Sequence, residues 1–326
     1  MPDTTEAGGL VARLARLDPE RRRLLTERLR PGPVALPRDG RPLPASFFQE
    51  RLWLVDQLLP GSTAYVVAVT QRLRGDLDCG VLSRAWELLV DRHEALRTRL
   101  EWVDGVLTQS VLPAVSLPLR VIDLTDVEDV RSEVARLLDA EAAVGLDLSS
   151  APLFRLRLLR LATRDHVLAV YLHHAVTDGW SNGILMRELS VSYRTLLAGG
   201  EPVLPPLRLQ YADAAAWQRD QLTEQRLADL SRYWTDRLAG APDLLDLPTD
   251  RPRQAGGARP VARHHTVLPR DSVTALRALA DSERTTVFAV LLAGFAAILA
   301  RWAGRQDIVV GSPRTGRTHP DLEGVV

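Results

Sequence analysis

Three features predict a mixed α/β protein in which sheets are layered against helices. Apolar runs with strand-like patterning recur between longer segments of helical spacing. The 326 residues are 46% hydrophobic and 25% charged, enough apolar material for one large or two medium cores. Segments rich in proline punctuate the chain at Pro31–Pro44, Gly199–Pro206 and Pro248–Pro260, as linkers between packed bodies do.

The elements follow in order. Leu10, Leu14, Leu17, Leu24, Leu25 and Leu29 lie among many arginines, and Asp18-Pro19-Glu20 predicts a cap and first turn for the second of two short helices. That extension reads as a solvated lead-in, and a docking element for a partner fits as well. Leu52, Val55 and Leu59 share one face of a predicted helix over Phe47–Leu59. A strand follows over Tyr65–Leu73, broken by Gly75-Asp76, and then a helix over Val81–Glu94 with Leu82, Ala85 and Leu89 inward. Leu96–Trp102 and Leu107–Val111 form a hairpin around Asp104-Gly105, a dipeptide suited to a tight turn. A helix over Val130–Val144 precedes strands at Phe154–Ala162 and Val167–Leu172. A long helix then begins at Gly179 and runs to Leu197. Beyond it the spacing predicts a helix over Trp217–Leu238, a strand at Arg263–Leu268, helices at Ser272–Ala280 and Thr286–Trp302, and a strand at Asp307–Ser312.

Composition narrows the function. Basic and acidic residues number 41 each, so no basic excess points to nucleic acid. Every basic residue is Arg, which excludes a Schiff-base or P-loop lysine. Cys79 is alone, leaving no disulfide framework or thiolate metal site, as suits a reducing cytoplasmic setting. The longest uncharged apolar run, the 14 residues Val287–Ala300, is too short to span a bilayer and reads as a buried core helix. Trp53, Trp86, Trp217, Trp234 and Trp302 sit at helical positions and read as core.

The best candidate for chemistry is His173-His174-Ala175-Val176-Thr177-Asp178-Gly179, between an apolar strand and a long helix. Two His and an Asp suggest a metal, but adjacent residues at a strand end face opposite ways, and no third imidazole is near in sequence. Burial of His173 and capping of the helix by Asp178 are plain structural readings. His174 fits a general base or amine-orienting imidazole, since histidine titrates near pH 6.5. Gly179 permits close approach of a substrate, and N–H groups at the helix start suit a developing oxyanion. His264-His265 lacks a following Asp-Gly and reads as structural.

The segment HHAVTDGWS, His173 to Ser181, resembles the HHxxxDG active-site motif of nonribosomal peptide synthetase condensation domains. Related acyltransferases of the chloramphenicol acetyltransferase-like fold share that motif. Five further segments agree in the family's order: Ser46–Trp53, continuing to Ser62; Arg92–Thr98; Tyr211–Asp213 with Trp217-Gln218; Leu247–Arg253; and Ile308–Arg317. The resemblance covers residues 41–326. It implies an N-terminal extension over 1–40, an N-terminal lobe over 41–240 and a C-terminal lobe over 241–326 that is truncated, so that the isolated chain is a fragment.

What the resemblance implies is an acyltransferase forming amides between two carrier-bound substrates, which enter a tunnel between similar lobes. His174 would orient or deprotonate the acceptor amine, while His173, Asp178 and Gly179 shape the site. Arg97 would pair with Asp178, with Arg92 and Arg99 as alternatives. Trp180 and Ser181 would line the tunnel. The implied partners are upstream and downstream carrier proteins, bearing substrates on 4′-phosphopantetheine, and an adenylation domain. No metal, bound redox cofactor, nucleic acid or membrane is implied. The residues after the motif and the ERLW and PGS segments resemble the subtype that joins two L-configured residues. Ester formation on the same fold, and a non-catalytic scaffold that recruits a carrier or monooxygenase, are the alternatives. Two positions depart from the family pattern: Phe48 stands where a small residue is common, and Ala214 replaces an aromatic.

Overall fold

The structure, a computed structural model, describes residues 32–116, 118–242, 244–250, 264 and 266–326. The expected helices within Leu10–Leu29 and most of the Pro248–Pro260 stretch lie outside them. The described chain divides into two compact units, one running to Thr223 and including Thr315–Val326, the other Glu224–Arg314. The division therefore falls earlier than residue 240. The last twelve residues belong with the first unit because Leu322 and Val325 pack with Leu209, and Val326 enters the main core.

Among the described residues the first unit holds two sheets. β1 (Leu43–Pro44), β4 (Val106–Val111) and β3 (Thr98–Val103) pair antiparallel in the order β1-β4-β3. The turn between β3 and β4 places Asp104 and Gly105 at φ 48° and 80°, the left-handed pair that an Asp-Gly hairpin requires. The second sheet orders β2 (Val66–Arg74), β7 (Asp165–His173), β6 (Phe154–Ala162) and β5 (Arg120–Asp123). β7 is antiparallel to both neighbours, and β5 joins parallel to β6. From Leu168 to His173 every residue of β7 is buried, as its continuous apolar run demands of a strand covered on both faces.

Among the described residues five helices belong to this unit: α1 (Phe47–Leu58), α2 (Cys79–Arg92), α3 (Val130–Ala142), α4 (Gly179–Leu197) and α5 (Tyr211–Gln221). Leu82, Ala85, Trp86, Leu89 and Val90 make one buried stripe on α2, spaced as a helix face must be. It packs on α4, whose Ile184, Leu185 and Leu189 are buried. Trp86 stacks on Phe154 of β6 at 6.4 Å, which ties this helical layer to the sheet.

The second unit contains α6 (Glu224–Leu238), α7 (Arg270–Ser282) and α8 (Val287–Ala303). The expected single helix over Trp217–Leu238 is two, α5 and α6. Leu222 leaves the helical region, at φ −100° and ψ 67°, and its N–H turns back to Arg219. The strand expected at Asp307–Ser312 is irregular, and residues 266–268 carry none. A strand needs a ladder partner, and among the described residues of this unit there is none. α8 is not the buried core helix its composition suggests: α7 packs on it and Leu299 is buried, while Phe288, Phe295, Ile298 and Trp302 are exposed. Trp234 is exposed too, whereas Trp86 fits the core expectation. Among the described residues no single helix is long and apolar enough to cross a membrane.

Candidate active site

β7 ends at His173, opposite Val66 of β2. The His174 N–H donates to the Tyr65 carbonyl at 2.8 Å, and the Val176 N–H donates back to the His173 carbonyl at 3.0 Å. The chain thus leaves a buried central strand through a tight turn and enters α4 at Gly179. His173 points into the protein, where its Nδ1 accepts the Ala175 N–H at 3.1 Å. Burial, and then the neighbouring His174 charge, push its pKa down to about 4. His173 is therefore neutral near pH 7 with its proton on Nε2, a hydrogen-bond acceptor that shapes the turn.

Asp178 caps α4. Its Oδ1 accepts the Ser181 N–H and the Ser181 hydroxyl, both at 2.7 Å. Its Oδ2 accepts from Arg317 at 2.6 Å. Burial alone would raise this carboxyl, but the Arg317 and Ser181 bonds outweigh it and hold the pKa below the ordinary carboxylate range. Arg317 also donates to Ser181 Oγ at 2.9 Å and to the Val325 carbonyl at 2.8 Å. One guanidinium thereby fastens Thr315–Val326 to the helix start. Asp178 is spent on these groups and makes no hydrogen bond to His174 Nδ1, which has no partner among the described residues.

The pairing expected for Arg97 is not the one found. Arg97 closes the 3-10 turn Glu94–Arg97. Its guanidinium donates to the carbonyls of Val90 (2.9 Å), Asp91 (3.2 Å) and Leu112, a set of backbone acceptors that fixes the chain between α2 and β4. Neither alternative takes its place: Arg92 binds Glu188 at 3.0 Å and Arg99 binds Glu101 at 2.7 Å. Arg317 is the missed residue. It ends the Ile308–Arg317 segment, but no local spacing links it to a residue 139 positions earlier.

A second clamp comes from α1. Ser46 and Gln49 form a capping box: Ser46 Oγ accepts the Gln49 N–H, and Gln49 Oε1 accepts the Ser46 N–H. Gln49 is 1% exposed, and its Nε2 donates to the Ala175 carbonyl at 3.2 Å. Ser46 Oγ also shares a hydrogen bond of 2.9 Å with the Tyr211 hydroxyl at the start of α5. Burial raises the Tyr211 pKa, so it acts as a neutral phenol. Three helix starts, those of α1, α4 and α5, converge on the turn. The S-x-x-Q spacing of Ser46–Gln49 was the available signal for the α1 clamp.

His174 differs from its surroundings. Its Nδ1 has no hydrogen-bond partner among the described residues, and its ring meets Phe48 of α1 edge-on at 5.4 Å. A Cβ built on Gly179 would meet nothing within 4 Å, so open space lies beside the turn. Trp180 is half exposed and its indole N–H donates to the Glu323 carbonyl at 2.8 Å. Ser181 does not suit a tunnel wall: it is 1% exposed and its hydroxyl is held between Asp178 and Arg317. The Ser181 N–H, committed to Asp178, is likewise not free for an oxyanion.

A family model described as Condensation domain matches residues 41–326. Phosphinothricin tripeptide synthetase PhsC of Streptomyces viridochromogenes is 41% identical over 327 residues, covering 97% of this chain and 30% of that protein. The first condensation domain of the CDA synthetase superposes with a TM-score of 0.73 at 26% identity, covering 87% of this chain and 68% of that one. The X-domain in its complex with OxyB from teicoplanin biosynthesis gives 0.72 at 30% identity, covering 91% and 65%. The chain spans under a third of PhsC and about two thirds of each solved domain.

Proposed function

Because the chain belongs to the condensation domain family, whose chloramphenicol acetyltransferase-like α/β fold it carries, we propose that it forms an amide between two thioester-borne substrates. The acceptor's amine attacks the donor acyl or peptidyl thioester. A C–N bond forms, the C–S bond breaks, and the donor thiol leaves with the proton the amine gives up. Both substrates ride on the 4′-phosphopantetheine of carrier proteins, upstream for the donor and downstream for the acceptor, with an adenylation domain loading the acceptor.

The observation that carries this reading is the isolation of His174. Around it His173, Asp178, Ser181 and Gln49 are spent on one another and on backbone. His174 has a buried Nδ1 without a partner among the described residues, and open space lies beside Gly179 of the same turn. An imidazole so placed can receive or orient the amine proton, a role worth about 10²- to 10⁴-fold in rate. The test is single-turnover mass spectrometry with donor- and acceptor-loaded carriers, on the full-length protein and its His174→Ala variant. Acceptor-bound amide from the wild type and a loss of that size in the variant are expected; equal amide from both sinks the assignment. A hydroxyl acceptor run in parallel separates amide from ester formation.

The likeness to an X-domain solved together with OxyB favours a second reading, recruitment of a partner enzyme without turnover. Carrier binding with no amide from the wild type would select it.

A further inference from the structure

The geometry points to Phe48 as a specificity-determining residue, a wall that limits the bulk of the acceptor beside His174. The inference rests on the amide-forming reading and goes beyond it by naming what sets acceptor size. Phe48 is the second residue of α1, between the Ser46 cap and Gln49. Gln49 is bonded to both the Ser46 N–H and the Ala175 carbonyl. The Phe48 backbone is therefore held in fixed relation to the turn that carries His174.

Its ring is 40% exposed, although a phenyl group gains by burial, and it stands 5.4 Å from the His174 ring at an interplanar angle of 75°. Packing, rather than a hydrogen bond at Nδ1, is what holds the imidazole plane on that side. An amine within about 3 Å of the imidazole puts its Cα and the first atom of its side chain roughly 2–3 Å farther out. That radius matches the distance of the Phe48 ring, so the phenyl group and an acceptor side chain compete for the same shell around His174. On the Gly179 side the space is open. The exposed face of Phe48 is thus available to a substrate, not to the core.

The test measures kcat/KM for amide formation by the full-length protein with one fixed acyl donor. The acceptors are N-acetylcysteamine thioesters of glycine, alanine, leucine and phenylalanine. In Phe48→Ala the phenylalanine-to-glycine ratio of kcat/KM is expected to rise at least tenfold, the scale on which removed bulk changes pocket selectivity. Phe48→Leu, which keeps more of the packing on His174, falls between. A ratio within twofold of wild type in both variants overturns the assignment. So does a uniform fall across all four acceptors, which leaves Phe48 only a structural part. Wild-type protein that makes no amide with any acceptor sinks the condensation reading itself, an outcome distinct from unchanged selectivity in an active enzyme.

Discussion

Replacing Arg317 by Met tests which arginine secures Asp178. The change removes three bonds that hold two distant segments together: to Asp178 Oδ2 at 2.6 Å, to Ser181 Oγ at 2.9 Å and to the Val325 carbonyl at 2.8 Å. A charge-assisted hydrogen bond contributes about 1.5–3 kcal/mol net. The Asp178 side chain is 29% exposed, against 10% for Arg317, so water replaces part of the lost interaction and the low end applies. A destabilisation of about 2 kcal/mol is expected. Asp178→Asn keeps an acceptor for the Ser181 N–H, so the two variants and their double form a cycle that isolates the ion pair. Its coupling energy should be roughly 1–2 kcal/mol, read from urea midpoints by far-UV circular dichroism at constant m. The same cycle with Arg97→Met should show coupling below about 0.5 kcal/mol, since among the described residues Arg97 binds backbone carbonyls and not Asp178. Because the Asp178 pKa is depressed in the folded state, the pair's stabilisation is present above the ordinary carboxylate pKa and is lost as pH falls through the folded value. The Arg317 coupling must then shrink in acid. Coupling near zero at neutral pH, or equal coupling for Arg97 and Arg317, would refute the reasoning.

Two further outcomes follow from the same turn. His173 has a pKa of about 4 when folded and near 6.5 when unfolded, so between those values the unfolded chain binds more protons. Stability should fall by something on the order of 2 kcal/mol as pH drops from about 6.5 to about 4. His173→Asn should flatten that limb of the pH–stability curve, and an unaltered limb would remove His173 as its source. Gln49→Ala leaves the Ala175 carbonyl and the Ser46 N–H without their partner, at a cost of about 1–3 kcal/mol. Urea unfolding checks it, and a change below about 0.5 kcal/mol would mean that the clamp does not hold the turn.

Much of this architecture was legible because its signals are local. Asp178-Gly179 after an apolar strand announces a cap and a helix start, and α4 runs over Gly179–Leu197 as the spacing predicts. Asp104-Gly105 supplies its own turn geometry. What escaped is non-local or too short to be periodic. β1 and β5, of two and four residues, show no alternation and exist through pairing with β4 and β6. The apolar run of Asp307–Ser312 looks like a strand but finds no ladder among the described residues. α8 has the composition of a buried helix, yet burial is decided by neighbours, and here α7 leaves several large apolar side chains exposed. Arg317 failed for the same reason: nearness to the motif in sequence favoured Arg97, whereas the three-dimensional path brings the chain back to Asp178 only after 139 residues.

The pattern of satisfied and unsatisfied groups separates residues that hold the turn from the one proposed to act there. Preorganised sites keep their supporting shell locked so that no reorganisation is needed during reaction. Here the shell is locked twice, through Arg317 on the α4 side and Gln49 on the α1 side, with His173 spent on the turn itself. Changes in that shell should therefore lower stability and rate together, because each reaches the chemistry only by moving the backbone that carries His174. His174 stands apart, since among the described residues its Nδ1 makes no hydrogen bond that its removal would break. Its loss should reduce rate far more than stability, and that divergence distinguishes an acting imidazole from a structural one.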